Sequence, residues 1–429
     1  MSRAESLDPT PEVSVVIPTY NRAELLVKTL DSFVGQSMSV DRFEVIVADD
    51  GSSDNTREVV ESYADRLNIQ YFFQEDLGFR AGTARNNGVR LAGAPVIVFT
   101  DTGVRVGPDY LAEHLAAHAV PGRLVVGYAY GYRPKLHNTE LIDMLDELPP
   151  QEVFNRLRTK WSFWDARHPD FARVRFDFDK IQVPWLYAWT LNLSVRRADF
   201  WKVGGFDEDY KGWGVEDVDL AYRMFTKGYR LTLSRKAWAI ETPHDRDHAG
   251  NSVSGLRNIQ RFYHKHPTLT VEMYCANYIR PNPTPLEDEY VQLLAWRWKT
   301  RELDVTDEVL AAVRSAGAGP NVLVLGAGAG SSQWPAHWTL YDFDEDLIGR
   351  AVDAGRPPVT HALGMATPFE DGVFDLVVLT SRMQGLLHTW GDALIHEAHR
   401  LAGEVWLKTE DSEGLVRDER DELPYGSSS

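Results

Sequence analysis

The sequence has a single cysteine in 429 residues, Cys275. No intrachain disulfide can form, and no zinc site built on several thiolates is available. Positive charge is scarce: 45 Lys and Arg stand against 63 Asp and Glu, a formal net charge of −18. A general nucleic-acid or anionic-membrane surface needs clustered Lys and Arg, so the balance argues against both, while a local basic pocket for a phosphorylated ligand is still open. No apolar run reaches the roughly 18 residues that a bilayer span needs. The opening MSRAESLDPTPE is polar and lacks the apolar stretch of a signal peptide. A soluble cytoplasmic protein is the expectation. No internal repeat or low-complexity tract is seen.

What is present is globular: 43% hydrophobic and 25% charged residues. The length predicts two domains. Val13–Pro18, Phe43–Ala48, Ile69–Phe73 and Pro95–Thr100 are short, β-branched apolar runs that read as strands. Leu25, Leu26, Leu30 and Phe33 recur at helical spacing, and Thr56–Tyr63 and Ala81–Leu91 also read as helices. Alternating strands and helices predict an α/β fold with a mostly parallel sheet. Ligands of such sheets bind beyond the carboxyl ends of the strands. Thr19–Arg22, Asp49–Asp54 and Asp101–Gly103 all follow strand ends and should share one crevice. Residues 133–182 carry many aromatics and few strand signals, and read as an insertion of helices and loops. Trp185–Val195 and Leu231–Leu233 supply later strands. Pro- and Asn-rich Ala276–Pro285 marks a boundary, followed by helical patterns at Leu286–Arg301 and Asp307–Ser315.

Several motifs carry chemistry. Asp50 closes a strand where a carboxylate can accept from a nucleobase or ribose; an Asx turn explains it equally. Asp101 ends another strand, and one strand-end carboxylate can hold Mg²⁺ or Mn²⁺ together with a substrate diphosphate. Arg22, Arg80 and Arg85 lie near these loops, and guanidinium forks suit diphosphate oxygens. Glu241 and His244 follow a later strand and could complete a metal shell. Glu216-Asp217 opens a helix with an apolar face at Leu220, Ala221, Met224 and Phe225. Helix-dipole stabilisation accounts for one first-turn carboxylate. It does not account for Gly212-Trp213-Gly214 before it, a turn with an aromatic face suited to a sugar ring.

In this order and spacing, VSVVIPTYNR, VIVADDGSSDNT, GTARNNGVRLA, VIVFTDTG, GGFDEDYKGWGVEDVDLAYR and PHDRD resemble family 2 glycosyltransferases of the GT-A fold, with a later portion similar to metal-dependent galactosyltransferases. The resemblance covers roughly residues 12–270. It implies that Pro18, Thr19, Tyr20, Arg22, Asp50, Arg85, Thr100, Asp101 and Thr102 hold the nucleotide of a sugar donor. It implies a Mn²⁺ or Mg²⁺ ion at Asp101 and His244, with Glu241 as a third ligand. The family's second metal-motif carboxylate is replaced by Gly103. Trp213, Gly214 and Glu216 would meet the acceptor, and Asp217 would be the general base of an inverting transfer. The implied enzyme is a hexosyltransferase moving sugar from a nucleotide donor, a uridine diphosphate sugar, to a hydroxyl of a saccharide, peptide or natural product.

Asn321–Gly330, a strand leading into Gly326-x-Gly328-x-Gly330, and Phe369–Val378 resemble a class I S-adenosylmethionine-dependent methyltransferase. Only Ser331–Tyr341, broken by Pro335, separates the glycines from Asp342, too short for the usual helix plus second strand. No acidic residue stands at Gly364–Thr367 to read an adenine. One apparent strand, Glu404–Lys408, follows. The expected layout is therefore a glycosyltransferase domain at 1–280, a helical linker at 281–318, and a truncated methyltransferase-like domain at 319–429. That last domain is expected to be non-catalytic and without S-adenosylmethionine, acting as a scaffold, an acceptor dock or a surface that pairs copies of the chain. A bifunctional transferase and methyltransferase, and a non-catalytic sugar-nucleotide-binding protein, are the alternatives.

Overall fold

A computed structural model describes residues 10–132, 139–244, 248–280, 284–317, 321–408 and 413–416. The start of the aromatic insertion, Asp245–Asp247 of the PHDRD motif, and the ends of the expected linker lie outside them. The chain forms two compact units, Met1–Asn258 and Ile259–Ser429.

The first unit is built on an eight-stranded sheet of order β3-β2-β1-β4-β7-β6-β8-β5. Its strands are β1 Val13–Thr19, β2 Phe43–Asp49, β3 Ile69–Phe73, β4 Val96–Thr100, β5 Val104–Val106, β6 Arg123–Tyr130, β7 Asn192–Arg196 and β8 Arg230–Glu241. The half β3-β2-β1-β4 is parallel. β7 runs against both β4 and β6, β6 runs with β8, and β5 against β8. The sheet is therefore mixed, a correction to the mostly parallel expectation. The expected Trp185–Val195 strand is also shorter: Pro184–Tyr187 is a single 3₁₀ turn, and pairing begins at Asn192. β1, β2 and β4 are buried on both faces. Helices on either side cover them, which is why these strands read as continuous apolar runs rather than alternating ones. Val15, Ile17, Val45, Val47 and Val98 pack with Leu26, Leu30 and Phe33 of the helix Ala23–Val34 on one such face.

Residues 139–187 form short helices at Thr139–Glu147, Pro150–Leu157 and His168–Arg173 with turns between them. Phe163, Phe171 and Phe178 are core, while Trp161 is exposed.

The second unit begins within the helix His248–Lys265 and goes on through the helices Leu269–Ile279, Leu286–Thr300 and Thr306–Ala316. A six-stranded sheet follows, of order β11-β10-β9-β12-β13-β14. These strands are β9 Val322–Leu325, β10 Thr339–Asp342, β11 Val359–His361, β12 Phe374–Leu379, β13 Ala402–Lys408 and β14 Glu413–Val416. All pairs are parallel except the last. In chain order the arrangement is third-second-first-fourth-fifth-sixth, that of a doubly wound sheet with its switch point between β9 and β12. The stretch Ser331–Tyr341 does hold the second strand: the crossover from β9 to β10 drops its helix for an irregular loop that buries Trp334 and Trp338.

Candidate active site

The three strand-end loops expected to share a crevice are tied together by hydrogen bonds. Asn21, at φ 49°, accepts from the Ser53 N–H through Oδ1 at 2.8 Å, and its own N–H donates to Ser52 Oγ at 2.8 Å. The Ala23 N–H donates to Asp54 at 3.0 Å. Thr102 Oγ1 donates to the Pro18 carbonyl at 2.9 Å, which draws in the loop after β4.

Asp50 is buried and accepts from Gln74 Nε2 at 2.5 Å and the Arg80 N–H at 2.6 Å. Burial pushes its carboxyl up, against these two donors that pull it down. Tyr20 is exposed and donates to Asp76 at 2.8 Å. Thr19 is buried, and its hydroxyl has no hydrogen-bond partner among the described residues. Arg22 is exposed at the head of the helix that follows β1. Thr100 is not brought to the crevice by its side chain: its hydroxyl lies in the core, 3.0 Å from that of Tyr110. Gln74 and Asp76, which hold Asp50 and Tyr20, escaped the sequence reading because their loop carries no pattern beyond polarity.

Arg85 is the centre of the site. It stands on the helix Ala81–Leu91, is 4% exposed, and bridges two carboxylates. Nη2 donates to Asp101 Oδ1 at 2.8 Å and Nη1 to Glu216 Oε1 at 3.1 Å. Sequence reasoning gave Arg85 to the donor phosphates; the structure places it between the strand-end Asp and the acidic helix start. Asp101 keeps 37% of its side chain exposed, so one face remains available. Glu216 is buried, and its second oxygen, Oε2, has no hydrogen-bond partner among the described residues.

The acidic helix, Glu216–Thr226, starts in an unusual way. Its N-cap Val215 is left-handed, at φ 79°, and makes no side-chain cap. A buried β-branched residue there is strained by about 1–3 kcal/mol. Gly212 and Gly214 are also at positive φ. A Cβ on Gly212 would sit 2.5 Å from the Cβ of Ser254. Ser254 accepts from the Trp213 N–H at 3.1 Å, and Asn258 Nδ2 donates to the carbonyls of Trp213 at 3.3 Å and Gly214 at 3.0 Å. These two supports lie some 40 residues downstream and carry no motif of their own. Trp213 presents 38% of its surface. Asp217 is partly exposed, and its carboxyl is pushed up to about 7 by desolvation first and by the Glu216 charge second; Arg85 opposes both.

β-Sheet register sets the chain at Glu241 and Thr242 beside Val104 and Gly103, the residues just past Asp101. Glu241 pairs with Val104, and the Thr242 N–H donates to the Gly103 carbonyl at 3.0 Å. His244 Nδ1 is 3.1 Å from the Thr242 carbonyl, which can only accept, so that nitrogen donates. Among the described residues no three His, Cys, Asp or Glu side chains converge as a ready metal cage. Oxygen and imidazole donors do suit Mn²⁺ or Mg²⁺ when a substrate diphosphate completes the shell.

The described residues thus bring together a crevice at strand ends, a buried arginine joining two carboxylates, and a raised carboxyl behind a Gly-Trp-Gly turn. Sequence comparison assigns the class. The glycosyl transferase family 2 profile matches residues 14–189, and that of the N-terminal domain of galactosyltransferase matches residues 173–248. A validoxylamine A glucosyltransferase of Streptomyces hygroscopicus is 44% identical over 406 residues, covering 92% of this chain and 96% of that one. The chain belongs to glycosyl transferase family 2 and is a glycosyltransferase. The chondroitin synthase of Escherichia coli is 27% identical over 59% of this chain and 38% of its own. Among solved structures, Staphylococcus aureus TarS 1–349 with UDP-GlcNAc aligns over 71% of this chain and 80% of that one at 18% identity and a TM-score of 0.43. The Pyrobaculum calidifontis mannosyltransferase PcManGT with GDP-Man and Mn²⁺ aligns over 72% and 81% at 20% identity and a TM-score of 0.42. Among the described residues no helix is long and apolar enough to cross a membrane.

Proposed function

We propose that this glycosyltransferase moves glucose from a nucleoside diphosphate donor to a hydroxyl of a natural-product acceptor of the validoxylamine A type, with inversion at the anomeric carbon. The observation that carries the reading is the Asp101–Arg85–Glu216 bridge, which ends on the residue next to Asp217 and supports Asp217 as the base. The extent of the similarity to the Streptomyces enzyme supports the choice of sugar and acceptor.

Asp50 and the Thr19–Arg22 loop would hold the nucleoside, with uridine as the first base to try. Trp213 would place the sugar and acceptor rings face to face, and Glu216 Oε2 would accept from an acceptor hydroxyl. Asp217 takes the proton of the attacking hydroxyl as the new C–O bond forms. The bond from the anomeric carbon to the phosphate oxygen breaks, and its electron pair leaves on the diphosphate. A carboxyl raised to about 7 is a stronger base than an ordinary one once ionised, and it is ionised in a useful fraction near neutral pH. Asp101, His244 and Glu241 would hold Mn²⁺ or Mg²⁺ with the diphosphate, and that cation supplies positive charge to the leaving group. Arg85 holds Asp101 in place on the donor side while its other arm holds Glu216 on the acceptor side.

The second unit reads as a methyltransferase-like sheet without that chemistry, supported by its strand order and its glycine turn. The test is to incubate the full chain with validoxylamine A, Mn²⁺ and a panel of UDP and GDP sugars and to follow product by mass spectrometry. Addition of one hexose from a glucose donor is expected. Transfer from other sugars only, or to no cyclitol acceptor, would overturn the substrate assignment.

A further inference from the structure

The second unit has the outline of a nucleotide-cofactor seat. A strand, β9, runs into a glycine turn, an acidic residue ends the neighbouring strand β10, and the switch point lies between β9 and β12. In doubly wound sheets the turn approaches the phosphates or their equivalent, the acid binds the ribose, and the ligand lies beyond the strand ends. S-adenosylmethionine is the cofactor such a unit suggests, and the residues present do not fit it. We infer that this seat is filled by the protein's own side chains, Arg382 at the ribose end and Glu272 at the base end, so that the unit folds without a nucleotide.

At the ribose end every acceptor is taken. Arg382, from the turn after β12, faces Asp342 as a fork: Nε donates to Oδ2 and Nη2 to Oδ1, both at 2.9 Å. The N–H of Gly328 donates to the same Oδ2 at 2.6 Å, and that of Asp344 to Oδ1 at 2.8 Å. Both charged side chains are fully buried. The third arm of Arg382 donates to the Thr300 carbonyl. Its aliphatic stem lies along the glycine turn, with Cδ only 3.5 Å from where a Cβ of Gly328 would be. Thr380 closes the other side of the turn, donating to the Gly326 carbonyl at 2.7 Å. The backbone surface that a phosphate or methionine group would need is therefore covered.

At the base end the loop after β11 turns inward through Gly364, at φ 88°. Its three successive N–H groups, of Leu363, Gly364 and Met365, donate to the Glu272 carboxylate at 2.7, 2.8 and 2.6 Å. Glu272 stands on the helix Leu269–Ile279 and is fully buried. Tyr263 donates to the next carbonyl, that of Ala366, at 2.5 Å. The backbone donors and acceptor that could read a base edge already have partners, and removing those partners would leave buried polar groups unpaired.

Hydrogen exchange of the full chain tests this, read by peptide at residues 326–330 and 361–366. The wild type should protect the 363–365 amides without any ligand. S-adenosylmethionine, S-adenosylhomocysteine or NAD⁺ at millimolar concentration should change exchange in neither segment. Added protection in either would overturn the inference. Glu272→Ala should speed exchange at 363–365 by about tenfold or more. Should that variant not fold, Glu272→Gln keeps one acceptor oxygen and should speed part of the same set. Unchanged exchange in a folded variant would also overturn it. Failure here leaves the sugar-transfer reading standing, because all these residues belong to the second unit.

Discussion

Each unit places an arginine on a strand-end aspartate in the crevice of its sheet, and the outcomes are opposite. In the first, Arg85 grips Asp101 at 2.8 Å with one arm and Glu216 at 3.1 Å with the other; 37% of the Asp101 side chain stays exposed, and the second oxygen of Glu216 has no hydrogen-bond partner among the described residues. In the second, Arg382 places two arms on Asp342, both groups are wholly buried, and two backbone N–H groups take the remaining lone pairs. The pair chemistry is the same. An ion pair that leaves one side of a carboxylate uncovered leaves it able to take a further partner; one that satisfies every oxygen does not.

The largest expected effect breaks the open side. Asp217→Asn should cost about 10²–10⁴-fold in kcat, the range of general-base catalysis, while donor binding measured by calorimetry stays near wild type. Turnover close to wild type would end the base assignment.

Breaking the sealed side comes next. Arg382→Met leaves the Asp342 charge buried without its partner and should destabilise the chain by about 3–5 kcal/mol in denaturant titration. Pairing it with Asp342→Leu should recover much of that loss. A single variant as stable as wild type would show that the pair does not hold the seat closed.

A pH profile sharpens the comparison. Asp217 is raised, so it is protonated below about 7 and ionised above. The kcat/KM of transfer should therefore fall on the acid side through about pH 7. Arg85 favours the ionised form, so Arg85→Met should move that limb to higher pH and lower the rate. A limb that stays in place in this variant would separate Arg85 from the base.

The smallest effect concerns the strained entry to the acidic helix. Val215→Gly removes a β-branched side chain from a left-handed position. Thermal unfolding should shift by about 1 kcal/mol equivalent or less, because relieved strain offsets the added freedom of the unfolded chain. A large loss would mean that packing of Val215, not its backbone, sets the turn.

Much of the first unit is legible in the residues themselves. β1, β2 and β4 are continuous apolar runs because both their faces are covered, and the helix Ala81–Leu91 has the bounds its sequence predicts. β5 and β6 went unread: β5 has three residues, and β6 mixes Gly127 with tyrosines. The antiparallel run of β7 leaves no mark in its composition, because strand direction is set by the connection before it. Asp217 and Trp213 stood out by motif. Ser254 and Asn258, which hold the Trp213 loop, did not, since a side chain that bonds a distant backbone carries no local signal.

The sequence by itself determined which residue types stand at which strand ends, because apolar periodicity locates the strands and the turn chemistry follows them. It therefore carried the class of reaction and marked the acidic pair proposed to serve it. Only the tertiary structure decided which carboxylates remain open. Arg85 reaches Glu216 across 131 positions of chain and Arg382 reaches Asp342 across 40. Whether an arginine serves a substrate or replaces one depends on how many lone pairs its partner has left, and that is settled by packing.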